Sequence, residues 1–213
     1  MNRLLKTALF ALVPSLALTP VLASRARAAV SPSSVQIKVK QVMISTSSDC
    51  SSPVSVNVNA SPVYEELTAN PTLLSGAIAA GTYKCLMIDM SSLIKYTPAT
   101  GDGASCVAGT QVTRDLCRQS TFAIPGGGTG SCTGTAPDDG VESYFWIYFS
   151  TTGNSSTSSG QTPSTAMPLA SPLVVNGSSA VTFVADFDGK LVSDTDGSGN
   201  PICDCNPPAV SFR

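Results

Sequence analysis

Histidine is missing from all 213 residues. That removes the usual general base for serine or cysteine nucleophiles and the commonest metal ligand. Charge is also scarce: Asp, Glu, Lys and Arg make up 12% of the chain, against 42% hydrophobic residues. Ordinary disorder combines few apolar residues with high net charge, so this composition describes a folded chain with a polar but uncharged surface. No two cysteines stand in Cys-x-x-Cys spacing, which together with the absent histidine leaves no zinc pattern. Beyond residue 18 no run is apolar enough to span a bilayer. Internal repeats are absent and helical periodicity is poor.

The beginning of the chain has its own chemistry. Arg3 and Lys6 precede an almost wholly apolar stretch from Thr7 to Leu18. Small residues then fall at cleavage spacing, as Val21-Leu22-Ala23 or Ala26-Arg27-Ala28. This pattern predicts a secretory signal peptide over 1–28, with cleavage after Ala28 or Ala23. A membrane anchor fits less well, because the run is short and is interrupted by Pro14 and Pro20. No cysteine precedes Cys50, which disfavours a lipid anchor. Removing Arg3, Lys6, Arg25 and Arg27 from the 12 basic residues leaves 8 against 14 acidic ones, a net of −6. Such a surface repels phosphate backbones, so nucleic acid is not an expected partner.

The seven cysteines are Cys50, Cys85, Cys106, Cys117, Cys132, Cys203 and Cys205. In an exported chain they are expected as disulfides with one thiol left over, and the sequence does not choose the pairing. Cys106 and Cys117 bracket a short segment that a bond between them would close. Cys203 and Cys205 share a face in an extended strand and are expected to take different partners. Cys106 and Cys132 sit in Gly- and Thr-rich loops, over 97–109 and 125–140, as staples.

Period-two alternation dominates the rest. Val35, Ile37 and Val39 alternate with polar residues, and then Val42 and Ile44 take the opposite phase, which predicts a bulge or bend near Gln41. Val54, Val56 and Val58 alternate cleanly. Tyr83, Cys85 and Met87 on one face, with Leu86, Ile88 and Met90 on the other, describe an interior strand. Tyr144 to Phe149 has the strongest strand propensity in the chain. Leu173–Val175 and Ala180–Phe187 flank Asn176-Gly177, a hairpin signal, with Val181, Phe183, Ala185 and Phe187 facing inward. Val210–Phe212 is a closing strand. Ser61-Pro62 followed by Val63 to Ala69 suggests one short helix. Thr151–Thr165 is an uncharged Ser/Thr/Gly-rich loop. The expected fold is all-β: a single Greek-key β-sandwich of about seven to nine strands over 29–213, with disulfide-stapled loops and little helix.

Chemistry-bearing candidates are few. Asp138, Asp139 and Glu142 cluster in one loop, and Asp186 and Asp188 in another, leaving carboxylate-dependent hydrolysis as a reading. Asp194, Asp196, Ser198 and Asn200 place oxygens at alternating positions around Gly197, as in the first half of a calcium loop. The second half departs from that pattern, with Cys205 where a bidentate Glu belongs, and an Asp/Gly turn is the competing reading. Tyr144, Trp146 and Tyr148 share a strand face. They are stacking residues for a sugar ring if exposed, and core if buried. Asn-x-Ser sequons occur at Asn59, Asn154 and Asn176.

Two stretches carry a likeness. Gly76 to Lys84, containing Ala80-Gly81-Thr82-Tyr83, and Val181 to Asp188, ending Asp186-Phe187-Asp188, resemble a family of exported bacterial domains of unknown function. The resemblance implies a transthyretin-like or carbohydrate-binding-module-like Greek-key sandwich and no catalytic residues. The seven cysteines depart from that family's pattern. The functional expectation is a secreted, periplasmic or cell-surface noncatalytic module that binds a glycan, a surface or a protein. It needs no cofactor unless calcium occupies the Asp194 loop. A structural subunit of an extracellular filament or coat is the alternative, drawing on the odd cysteine and an exposed sheet edge.

Overall fold

The computed structural model describes residues 28–68, 78–117, 121–133, 140–153, 162–176, 183–196 and 198–212. The leader expected over 1–28 therefore lies almost wholly outside the described residues. In chain order the strands are β1 (Pro32–Ser45), β2 (Val54–Val58), β3 (Tyr64–Glu66), β4 (Gly81–Tyr83), β5 (Cys85–Ser91), β6 (Leu93–Pro98), β7 (Val112–Asp115), β8 (Thr121–Ala123), β9 (Thr129–Ser131), β10 (Tyr144–Ser150), β11 (Met167–Pro168), β12 (Leu173–Val175), β13 (Phe183–Asp186), β14 (Leu191–Thr195), β15 (Pro201–Cys205) and β16 (Ala209–Phe212). One 3-10 turn spans Pro163–Thr165. No helix among the described residues is long and apolar enough to cross a membrane.

The all-β expectation with stapled loops holds, but the described residues form sixteen strands where seven to nine were expected. The reason is bending. β1 is the long central strand, and each flank is a run broken in two. On one side β2 pairs with its second half and β3 with its first. On the other side β5 pairs with the second half and β6 with the first. β10 extends the sheet beyond β5, and β7 extends it beyond β6. The phase change read in β1 is real: Val35, Ile37 and Val39 are buried, Lys40 and Gln41 both face outward, and Val42 and Ile44 are buried again. Opposite β5, Val39 pairs with Met90 and Gln41 with Asp89, so Lys40 is the extra residue of a bulge.

All seven residues of β5 are buried, as a strand apolar on both faces requires. The C-terminal pairs β13–β16 and β14–β15 pack against the bent sheet as a second layer. Phe183 meets Phe149 and Phe212 edge-on, with ring centroids 6.2 and 6.0 Å apart. The Tyr96 hydroxyl donates to the Cys203 carbonyl at 2.6 Å. Phe183 and Phe187 are buried as expected, and Val210 closes the layer, while Val181 lies outside the described residues.

Three local expectations need correction. The segment after Ser61-Pro62 is the strand β3, because Tyr64–Glu66 pairs with Gln36–Lys38 and that ladder overrides the helix-start signal. Among the described residues the strands flanking Asn176-Gly177 do not pair with each other: β12 pairs with β4, and β13 with β16. The loop 177–182 between them lies outside the described residues, as does 154–161 of the Ser/Thr-rich segment. The disulfides are Cys50–Cys85, Cys106–Cys203 and Cys117–Cys132. Cys106 and Cys117 are therefore not joined: Cys106, in the loop between β6 and β7, meets Cys203 of β15, and Cys117, just after β7, meets Cys132. Cys203 and Cys205 do separate in fate. Cys205 is free, and burial pushes its thiol up to about 12. Three disulfides are what an oxidising compartment produces.

Candidate functional site

The bend of β1 gathers polar chemistry that the chain otherwise lacks. Three kinks coincide there. The Lys40 bulge is capped by the Asn59 amide, which donates to the Lys40 carbonyl at 2.7 Å and separates β2 from β3. Ser91, the last residue of β5, and Ser92 mark the break between β5 and β6, and both are fully buried. Their hydroxyls repair the broken ladder: Leu93 N–H donates to Ser91 Oγ at 3.1 Å, and Ser143 N–H to Ser92 Oγ at 3.2 Å. A bulge re-aims side chains, and here it turns Lys38, Lys40 and Gln41 outward around one corner.

Those side chains meet residues from four other segments. Lys38 Nζ donates to Glu142 Oε1 at 2.8 Å and Oε2 at 3.1 Å, and Ser91 Oγ donates to Oε1 at 2.6 Å. Tyr64 of β3 lies directly opposite Lys38. Two ammonium groups stand over its ring, Lys95 at 4.0 Å from the centroid and Lys38 at 4.8 Å. Lys40 stands 5.5 Å over Tyr144 and 3.8 Å from Asp89 Oδ2. Three of the five lysines beyond the leader thus fall in one patch.

The electrostatics follow from these contacts. Burial pushes Glu142 up, but the Lys38 and Ser91 hydrogen bonds and the nearby ammonium groups outweigh it and hold the carboxyl below its ordinary value. The Glu142 hydrogen bond raises Lys38. Asp89 is 6% exposed, and burial pushes its carboxyl up to about 6 against the opposing pull of Lys40. Burial also raises the Tyr64 and Tyr144 hydroxyls.

Residues singled out in the sequence fare differently. Tyr144 and Glu142 belong to the patch. Trp146 and Tyr148 do not: both are buried, and the Tyr148 hydroxyl donates to the Ala123 carbonyl at 2.9 Å. The stacking face expected on Tyr144, Trp146 and Tyr148 is therefore reduced to Tyr144, because neighbouring segments cover the rest of the strand. Asp138 and Asp139 lie outside the described residues. Asp186 accepts the Asp188 amide at 2.9 Å, and Asp188 accepts the Ser31 hydroxyl, so this acidic pair serves a turn.

The Asp194 loop connects β14 to β15. Asp196 Oδ1 accepts the Ser198 and Asn200 amides at 2.9 and 2.8 Å, and its Oδ2 accepts Asn200 Nδ2 at 3.0 Å. Asp194 Oδ1 accepts the Thr195 amide at 2.7 Å. These are the bonds of an Asx turn. Among the described residues no three metal-ligating side chains converge.

No family model, curated protein or solved structure matches this chain. Sequence reading missed Lys38, Lys40, Tyr64, Asp89 and Lys95. One signal was present, because Asp89 is the single charge inside the apolar run Cys85–Met90.

Proposed function

We propose that this chain is an exported, noncatalytic binding module whose ligand surface is the bend of β1. The observation that carries the reading is the convergence of Tyr64, Tyr144, Lys38, Lys40, Lys95 and Glu142 on one outward corner. Rings that offer an apolar face beside both donors and an acceptor form a recognition surface, and its bulged, hydrogen-bonded scaffold holds it in place. The leader pattern and the three disulfides support an extracellular or periplasmic location.

The sheet edges favour a module over a filament subunit. β2 exposes Val54 and Val58, but its register shifts at Val56, and Pro53 and Pro62 bracket it. β11 is two residues long and ends in Pro168, and β7 carries Arg114 and Asp115. Bulges, prolines, charges and short strands are the features that blunt edge-to-edge pairing. The test is binding of the full chain to cell-envelope and extracellular-matrix fractions, compared with a Tyr64→Ala/Tyr144→Ala double variant of unchanged melting temperature. Binding that falls at least about tenfold is expected. A double variant that binds as well as the parent refutes the assignment.

A further inference from the structure

The ammonium groups at the bend are unequally satisfied. Lys38 is closed off by its two hydrogen bonds to Glu142. Lys40 reaches Asp89 only at 3.8 Å, beyond hydrogen-bond distance, and its side chain is 53% exposed. Lys95 forms no ion pair among the described residues. Each of these two lysines stands over a tyrosine, Lys95 over Tyr64 and Lys40 over Tyr144. The strand order β10-β5-β1-β3 sets the two tyrosines three strand spacings apart, about 14 Å, with the Lys38–Glu142–Ser91 centre between them.

We propose that the Tyr64–Lys95 and Tyr144–Lys40 pairs are two subsites for a linear polysaccharide bearing carboxylates, a uronate-type chain. Each ammonium swings from over its ring to take a carboxylate, and the uncovered ring takes the apolar face of one sugar. The proposal rests on the bend being a binding surface and adds the ligand class. Glu66 also faces this side, but its carboxylate is occupied by Ser34, the Val35 amide and Thr68. The chain's overall negative charge acts weakly here, because screening at physiological salt confines fields to about 8 Å. Nucleic acid, with one charge per about 1.7 Å, demands many more free cations than two.

Asp89 competes with the ligand for Lys40. The groups around it are Lys40 and Gln41 from β1, Trp146 and Tyr144 from β10, and Ser91 on its own strand. Its carboxyl titrates at about 6, well above a sugar acid, which ionises near the α-carboxyl range of about 3.5. Between those values Asp89 is neutral, the ligand is still charged, and Lys40 is free to pair with it.

The experiment is a binding titration of the full chain against polygalacturonate, dextran sulfate, polyglutamate and neutral dextran at about pH 7.5 and about pH 5. Polygalacturonate is expected to bind best, with the other three at least about tenfold weaker. Its affinity should rise at least about threefold on going to the lower pH. Asp89→Asn should bind at both pH values as tightly as the parent does in acid. Lys40→Ala and Lys95→Ala should each lose at least about tenfold. Lys95→Ala breaks no ion pair and keeps the test open if Lys40→Ala unfolds. Equal binding of dextran sulfate, polyglutamate or dextran overturns the uronate assignment, and so does an affinity indifferent to pH. If polygalacturonate fails while envelope binding still depends on Tyr64 and Tyr144, the ligand class is wrong and the binding surface stands. If both fail, the surface itself is wrong.

Discussion

β5 and β10 pair along seven residues, and every one of those fourteen side chains except Tyr144 is buried. β14 and β15 pair along five, and that hairpin is exposed at its turn end, from Asp194 and Thr195 to Pro201, while Leu191 at the other end is buried. The first pair is held by apolar area on both faces. The second is held through Cys203. Its sulfur bonds Cys106, and its carbonyl accepts from Tyr96 Oη at 2.6 Å and Arg114 Nε at 2.9 Å. Ser105 adds bonds to Ser193 and to the Ile202 carbonyl. The contrast separates two ways of fixing a strand: packing, which a local pattern announces, and tethering, which depends on residues about a hundred positions away.

Cutting the tether is the largest way to break the contrast. Cys106 and Cys203 close a loop of 97 residues, for which chain-entropy estimates give about 4–5 kcal/mol. The Cys106→Ser/Cys203→Ser variant should lose about that much unfolding free energy and melt at a lower temperature. Amide exchange should accelerate first at Leu191–Thr195 and last at Leu86–Met90. Equal acceleration in both strands would show that the two regions unfold as one unit. Next comes packing. Phe145 is buried and meets Phe122 edge-on at 6.4 Å. Phe145→Ala should cost about 3–4 kcal/mol by leaving a cavity, with the three disulfides still formed on peptide mapping. A loss under about 1 kcal/mol would mean that β8 and β9 collapse to fill the space.

The same division explains what the sequence reveals. The burial of β5, the phase change of β1 at Lys40 and the inward faces of Phe183 and Phe187 all follow from alternation within a few residues. The partner of each strand does not. Asn176-Gly177 looks like a hairpin locally, yet β12 is claimed by β4 and β13 by β16. The disulfide pairing depends on the same long-range choices. The patch was half legible. Tyr144 and Glu142 stand out by residue type, whereas Lys38, Lys40, Tyr64, Asp89 and Lys95 become neighbours only when β1, β3, β5 and β6 align at a common kink.

Asp89 turns the contrast into a pH effect. It is a carboxylate inside the packed strand, with its folded value at about 6 above the ordinary 3.8. A raised carboxyl contributes stability that is fully present below the ordinary value and is lost as pH rises through about 6. Asp89→Asn escapes that loss. It should be more stable than the parent at neutral pH, by something on the order of 1 kcal/mol after solvent screening. Denaturant midpoints measured from about pH 4 to about pH 8 should show the gap opening across that window. A gap that stays constant with pH would mean that Lys40 already compensates the charge in full.

The smallest effect belongs to the hairpin's own turn. Asp196 is half-buried and organises the connection by accepting two amides and the Asn200 side chain. Asp196→Ala should leave the global melting temperature nearly unchanged, because the Cys106–Cys203 bond still holds the hairpin in place. Exchange at the Ser198 and Asn200 amides should quicken by about tenfold, since those donors lose their acceptor. Adding about 1 mM calcium discriminates the two readings of this loop. If the carboxylate serves only the turn, calcium should leave both proteins' exchange rates where they were. Slower exchange in the parent alone would mean that Asp196 releases its amides to hold a cation, and the turn would then be a metal loop in its resting form.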